Sequence, residues 1–207
     1  MRLYKIAIAA ASVVALTALQ PGAAHADTTT ANAILTAGGF SVTTNGSAFQ
    51  FGTQALTGVD TPLTAASSGG TASGAWAIVN ARGTDTSWSV SIYASTDLVS
   101  AAGASGPDSS ARSILKGQMA VTTGSVTPSA GSDAAALTTA NVANMPAAGS
   151  PATIVTANVG GSKGTFTFTP QLTINVPAKA YRSNCNDNSS PCTAWNPYIS
   201  TLNVTIS

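Results

Sequence analysis

An antiparallel β-sandwich is what this sequence predicts, and three observations carry the expectation. Several segments alternate apolar and polar residues with the period of two that a half-buried strand requires. Turn formers separate those segments: Asn45-Gly46, Ser68-Gly69-Gly70, Gly103 to Pro107 and Gly160-Gly161. The third is composition. Ala, Ser, Thr and Gly dominate and only 7% of residues are charged, which suits either a β-rich surface protein or a flexible linker. Periodicity decides between the two, and it favours strands with one face in a shared core, in a sandwich of the Ig-like, Greek-key type.

In chain order, Phe49 and Phe51 share one face, and a strand is expected over residues 75–80 with Trp76 inward. Ser87-Trp88-Ser89-Val90-Ser91-Ile92 points its three large residues one way. A further strand is expected from Ile114 to Thr122. Phe166 and Phe168 alternate next, then Leu172, Ile174 and Val176, and finally Leu202, Val204 and Ile206. Residues 124–158 hold three prolines among many Ala and Thr, and read as a long surface connection with a short helical turn over 133–137.

Residues 1–26 read as a secretory signal peptide. Arg2 and Lys5 precede an apolar run from Ile6 to Leu19, Pro21-Gly22 breaks it, and Ala24-His25-Ala26 supplies the small-x-small cleavage pattern. The run is shorter than the roughly 20 residues that span a bilayer. The expectation is therefore export, a mature chain beginning at Asp27, one domain over 27–207, and no membrane span once the signal is cleaved. With no lipid-accepting cysteine beside the signal and no L-P-x-T-G sequence, any attachment to a cell is expected to be non-covalent.

Without its signal the chain has no histidine and no glutamate, since His25 is the only histidine and all seven acidic residues are aspartates. Histidine is the usual base near neutral pH and the commonest metal ligand, so most hydrolytic and metal-dependent mechanisms lose their central group. Two short matches to enzyme motifs fall with it. Gly160-Gly161-Ser162-Lys163-Gly164 fits G-x-S-x-G but has no histidine to take the serine proton. Ser113-Ile114-Leu115-Lys116 fits S-x-x-K, yet its surroundings read as strand where that chemistry needs a helix start. The expectation is a protein with no catalytic residues and no cofactor. Removing Arg2 and Lys5 leaves six basic residues against seven aspartates, a balance that offers no basic face for nucleic acid.

Cys185 and Cys192 bracket the polar stretch Asn186-Asp187-Asn188-Ser189-Ser190-Pro191, and in an exported chain they are expected to form a local disulfide. The rival zinc reading lacks ligands. A calcium reading of Asn186-Asp187-Asn188 lacks the glycine and the distal carboxylate of a calcium loop, so no metal is expected. Trp195 follows the cysteine loop beside Tyr198 and is the aromatic candidate for a binding surface, although partial burial is the expectation for its ring.

Two segments resemble the motifs of the WxL-domain surface proteins. Tyr198-Ile199-Ser200-Thr201-Leu202-Asn203-Val204-Thr205-Ile206-Ser207 is similar to that family's terminal strand, Y-T-A-T-L-T-W-T-L, and Ala81-Arg82-Gly83-Thr84-Asp85-Thr86-Ser87-Trp88-Ser89-Val90-Ser91 is similar to its first motif, a D-x-R-G-like turn leading into W-x-V/L. Val204 stands where the family has its second tryptophan, and Val90 replaces the leucine of the first motif. The resemblance implies a Gram-positive extracellular β-sandwich that associates non-covalently with peptidoglycan or with other surface proteins, and it carries over Trp88. With Trp195 and Tyr198, Trp88 completes the set of candidate binding residues. A different class is also open: a structural subunit of a surface layer, coat or fibre, whose neutral Ala/Thr-rich faces pack on copies of themselves.

Overall fold

A computed structural model of the chain describes residues 33–44, 48–68, 74–133, 137–187 and 189–207. The expected signal peptide lies outside them, as does most of the helical turn expected at 133–137. Every strand lies in the unit Thr36–Ser207. The fold is all-β, with antiparallel sheets throughout, and is built as a sandwich.

One four-stranded sheet runs β1 (Phe40–Thr43), β4 (Trp76–Asn80), β12 (Gly164–Phe168), β9 (Thr127–Pro128). A second runs β10 (Thr138–Thr139), β11 (Ala152–Ala157), β5 (Trp88–Ala94), β17 (Leu202–Ile206). The alternation of the sequence decides which faces meet. Trp88, Val90, Ile92 and Ala94 turn inward from β5 while Ser89, Ser91 and Tyr93 turn out. Trp76, Ile78 and Asn80 do the same on β4, and Phe166 and Phe168 on β12. The two sheets meet where the Trp88 ring lies 5.8 Å from that of Phe166. Past Thr169 and Pro170, β12 gives way to β13 (Gln171–Val176), the centre of a third sheet ordered β2 (Ala48–Phe49), β3 (Thr61–Ser68), β13, β8 (Met119–Thr122). Its inward Leu172 and Ile174 join the same apolar cluster as Trp76, Trp88 and Phe166. Continuous burial of this kind, at roughly 25 cal/mol per Å² of apolar surface, is what holds a domain with so few charges together.

Two expectations need correction. The stretch from Ile114 to Thr122 is not one strand. β7 (Arg112–Ile114) pairs with β6 (Leu98–Ser100), a 3₁₀ turn follows at Lys116–Gln118, and β8 then joins a different sheet. Asp97 makes the break by accepting the Lys116 N–H at 2.9 Å, which takes that donor away from any ladder.

Nor are residues 124–158 only a surface connection. Ile154 and Val155 of β11 are wholly buried, and Val142 and Met145 enter the core on backbone bonds to Val121 and Met119. The register of β11 against β5 shifts between Thr153 and Val155, so two consecutive side chains face inward and the period of two disappears from the sequence.

Candidate functional site

Beside the sandwich, a two-stranded hairpin of β14 (Asn184–Cys185) and β15 (Trp195–Asn196) carries the cysteine loop. Its base is fixed by Asn184, which is fully buried. The Asn184 N–H donates to the Ser100 hydroxyl at 2.9 Å, and its side-chain amide donates to the carbonyls of Ala101 and Ser110, each at 2.8 Å. Its tip is closed by the Cys185–Cys192 disulfide, with Cα atoms 5.8 Å apart. The register sets Trp195 directly opposite Cys185, so the covalent loop and the anchored asparagine together position that ring.

A cluster of charges lies against the hairpin. Asp108 sits in a tight turn and is almost buried, and its carboxylate bridges Arg112 at 3.0 Å and Arg182 at 2.9 Å. Burial pushes the Asp108 carboxyl up, but the hydrogen bond and charge of Arg182 and the charge of Arg112 outweigh that, holding it below the ordinary carboxylate range. Arg112 is largely enclosed. It donates to the carbonyls of Arg182 and Pro107, both at 2.8 Å. Each guanidinium also faces an aromatic ring: Arg112 lies 5.3 Å from the centre of Tyr181, and Arg182 lies 5.1 Å from that of Trp195. The outer rings are open to solvent, Tyr181 at 68% and Trp195 at 48%.

Tyr198, in the short β16 (Tyr198–Ile199), ties this rim to a groove. Its hydroxyl donates to the Tyr181 carbonyl at 3.0 Å. Burial raises its pKa, opposed in part by the charge of Arg112, so the phenol stays neutral and able to donate. The same residue lines an open cavity of about 480 Å³, with Phe49, Phe51, Trp76, Ile199 and Leu202 among its other walls.

The candidate residues therefore separate. Trp195 and Tyr198 both reach the rim, Trp195 beside the Arg182 guanidinium and Tyr198 through its hydroxyl bond to the Tyr181 carbonyl. Trp195 is 48% exposed, the partial burial expected of it, and the Arg182 guanidinium lies 5.1 Å from its ring centre. Trp88 does not belong to that rim. It is 3% exposed, and its indole N–H donates to the Ser162 carbonyl at 2.9 Å, so its role is in the core and not in contact with a polymer. Sequence reasoning missed Tyr181, Arg182, Arg112 and Asp108. Tyr181-Arg182 just before the cysteine loop was a local signal, whereas the partnership with Asp108, 74 positions away, had none.

Ser162 and Lys163 of the first enzyme-like match lie in the turn between β11 and β12, and Ser113 and Lys116 of the second lie on β7 and in the 3₁₀ turn after it. Ser162 is fully buried in the turn after β11, where its carbonyl also accepts from the Asn80 amide at 2.6 Å and its hydroxyl donates to Asp85 at 3.3 Å. Ser113 is exposed on β7, and Lys116 opens the 3₁₀ turn. The Cys185, Asp187 and Cys192 side chains converge, but the disulfide consumes both thiolates that a metal would need. Asp187 is engaged as well. The Ser189 hydroxyl donates to it at 2.6 Å, the Thr193 hydroxyl donates to its other oxygen, and these bonds hold its carboxyl at about 2.

Two outcomes follow from this loop. Reduction of the disulfide is expected to cost no more than about 2 to 3 kcal/mol, because so short a closed loop excludes few unfolded conformations. Thermal melts with and without reductant measure it, and complete unfolding on reduction would contradict the local role. Acid is expected to act on the loop late. Because the folded pKa of Asp187 is depressed, its contribution is present above the usual carboxylate range near 4 and is lost as the pH falls towards about 2. Protection of the Ser189 and Thr193 amides from exchange, taken relative to their intrinsic rates at each pH, should fall in that window and not above it.

Among the described residues no helix is long and apolar enough to cross a membrane. Comparison with protein-family models, with curated proteins and with solved structures finds no match to this chain.

Proposed function

We propose that this protein is a secreted, non-enzymatic component of the cell envelope that attaches non-covalently to peptidoglycan through the rim formed by Tyr181, Arg182 and Trp195 and the adjoining groove. The observation that carries the proposal is the pair of solvent-open rings on a rigid base. Exposed aromatic side chains are unfavourable to leave in water, and here buried hydrogen bonds, an ion-paired aspartate and a disulfide hold them out. Rings fixed before contact lose little entropy on binding, which suits recognition of a flexible polymer.

The WxL resemblance supports the same reading. Its two segments are neighbours in one sheet, with Val204 opposite Ile92 and Ile206 opposite Val90. The disulfide fits an oxidising location outside the cytoplasm.

Sedimentation with purified cell walls is the test. The wild-type protein is expected to pellet with walls as a monomer, and Trp195→Ala is expected to stay in the supernatant while melting like the wild type. A protein that pellets without walls, by assembling on itself, would instead favour the reading as a subunit of a surface layer or fibre.

A further inference from the structure

We infer that the rim recognises a glycan bearing an acidic substituent, with Arg182 holding the acid group and the flanking rings holding the sugar. The inference rests on the envelope-binding reading above and names the ligand class for the same site.

Three arginines are described, and Arg182 differs from the other two. Arg82 is spent on the Asn80 side chain at 3.0 Å and the Thr86 carbonyl at 3.2 Å, and stacks on Phe40. Arg112 is enclosed, at 13% exposure, with both terminal nitrogens bonded. Arg182 is 46% exposed and makes two hydrogen bonds, to Asp108 at 2.9 Å and to the Ser183 carbonyl at 3.0 Å. A guanidinium has five N–H donors in a planar fork, so three of them are unbonded among the described residues on a side chain that is half exposed.

Charge points the same way. Asp108 is shared between two guanidiniums, so the rim keeps one positive charge in a chain whose remaining surface is nearly neutral. Asp187 of the hairpin stays ionised, but its bonds run to Ser189 and Thr193 and, among the described residues, it forms no ion pair with Arg182.

Open guanidinium donors suit a carboxylate or a phosphate, which can take two of them at once. The rings require more. Trp195 beside Arg182, and Tyr181 next along the chain, offer flat apolar faces that a bare anion would not use but the C–H face of a sugar ring would cover. A neutral glycan, in turn, would leave the cation unmatched. A sugar or polyol chain carrying an acid group satisfies both halves of the rim.

Intrinsic tryptophan emission is a direct readout, because Trp76 and Trp88 are buried and Trp195 is the exposed indole. Titration of the wild-type protein would use an oligosaccharide of uronic acids, an oligomer of glycerol phosphate, and an uncharged oligomer of N-acetylglucosamine. One or both acidic probes are expected to shift the emission, and which of them does so separates a carboxylate from a phosphate source. Binding should weaken as salt is raised, since the contact is exposed. R182Q is expected to lose at least about tenfold in affinity, the scale of one charge-assisted hydrogen bond, while R182K retains part of the binding; because R182Q also takes a partner from Asp108, a melt of each variant shows that it is folded at the titration temperature. Equal binding of the neutral oligomer, or wild-type affinity in R182Q, would overturn the inference. Wall sedimentation keeps the two claims apart. Pelleting that persists undiminished on walls whose carboxylates have been amidated and whose phosphate polymers have been removed overturns the ligand class and leaves wall attachment standing; no pelleting with any wall overturns both.

Discussion

Trp88→Ala is expected to destabilise the domain by about 3 to 5 kcal/mol, the range for removing a large aromatic side chain from a packed core. The ring is enclosed between the two main sheets, 5.8 Å from Phe166, and its indole N–H satisfies the Ser162 carbonyl at the turn after β11. Alanine would leave a cavity where those sheets meet and remove that hydrogen bond. Trp88→Phe separates the two effects. It keeps most of the volume and loses the bond with a smaller part of the packing, and the Ser162 carbonyl would still accept from Asn80 at 2.6 Å, so a cost of about 1 to 2 kcal/mol is expected. Chemical denaturation of the three proteins reads these differences. Loss of wall sedimentation in Trp88→Ala should follow the loss of folded protein. Abolished sedimentation at an unchanged melting temperature would make the ring a surface contact and refute its place in the core.

Gly103→Ala is expected to damage the rim more than any other single methyl group. The Gly103 N–H donates to the Asp108 carbonyl at 2.6 Å, so this glycine lies where the turn holding Asp108 meets the hairpin. A Cβ there would overlap the Cys185 carbonyl oxygen, with the carbonyl carbon 2.9 Å away and the Asp108 Cβ at 3.1 Å. Neither obstacle near Cys185 is the end of a flexible side chain. The backbone must move, at a cost of about 1 to 3 kcal/mol or more for overpacking. That movement would displace both the carboxylate that bridges Arg112 and Arg182 and the strand opposite Trp195. Reduced stability together with lost wall binding is the expected result, and Gly149→Ala, in a surface turn where a Cβ meets nothing within 4 Å, is the matched control. A crystal structure of Gly103→Ala with the hairpin unmoved would refute the close packing.

Alternation made most of the sandwich legible. The strands β4, β5, β12, β13 and β17 each place one face in the core, and their large residues stand two apart in the chain, so a single sequence carries the information. The disulfide was legible for a similar reason, because a separation of 7 makes pairing almost a local property. β11 was hidden because its bulge turns Ile154 and Val155 inward together, and the break after Ile114 was hidden because it depends on Asp97, a residue from another strand connection.

The sequence by itself determined the class of the fold, the faces of its main strands, the disulfide pair, and the lack of histidine and glutamate beyond His25. These depend on residue type and on spacings of two to seven positions. Tertiary structure decided which aromatics form the rim. Alternation with Val90 and Ile92 already put Trp88 on an inward face, but only the anchored hairpin and the Arg182 guanidinium set how far the Trp195 ring stands open, beside a Tyr181 that no spacing singled out. The meeting of Asp108 with Arg112 and Arg182 was decided at the same level, because a carboxylate and a guanidinium 74 positions apart become partners only when the chain between them has folded.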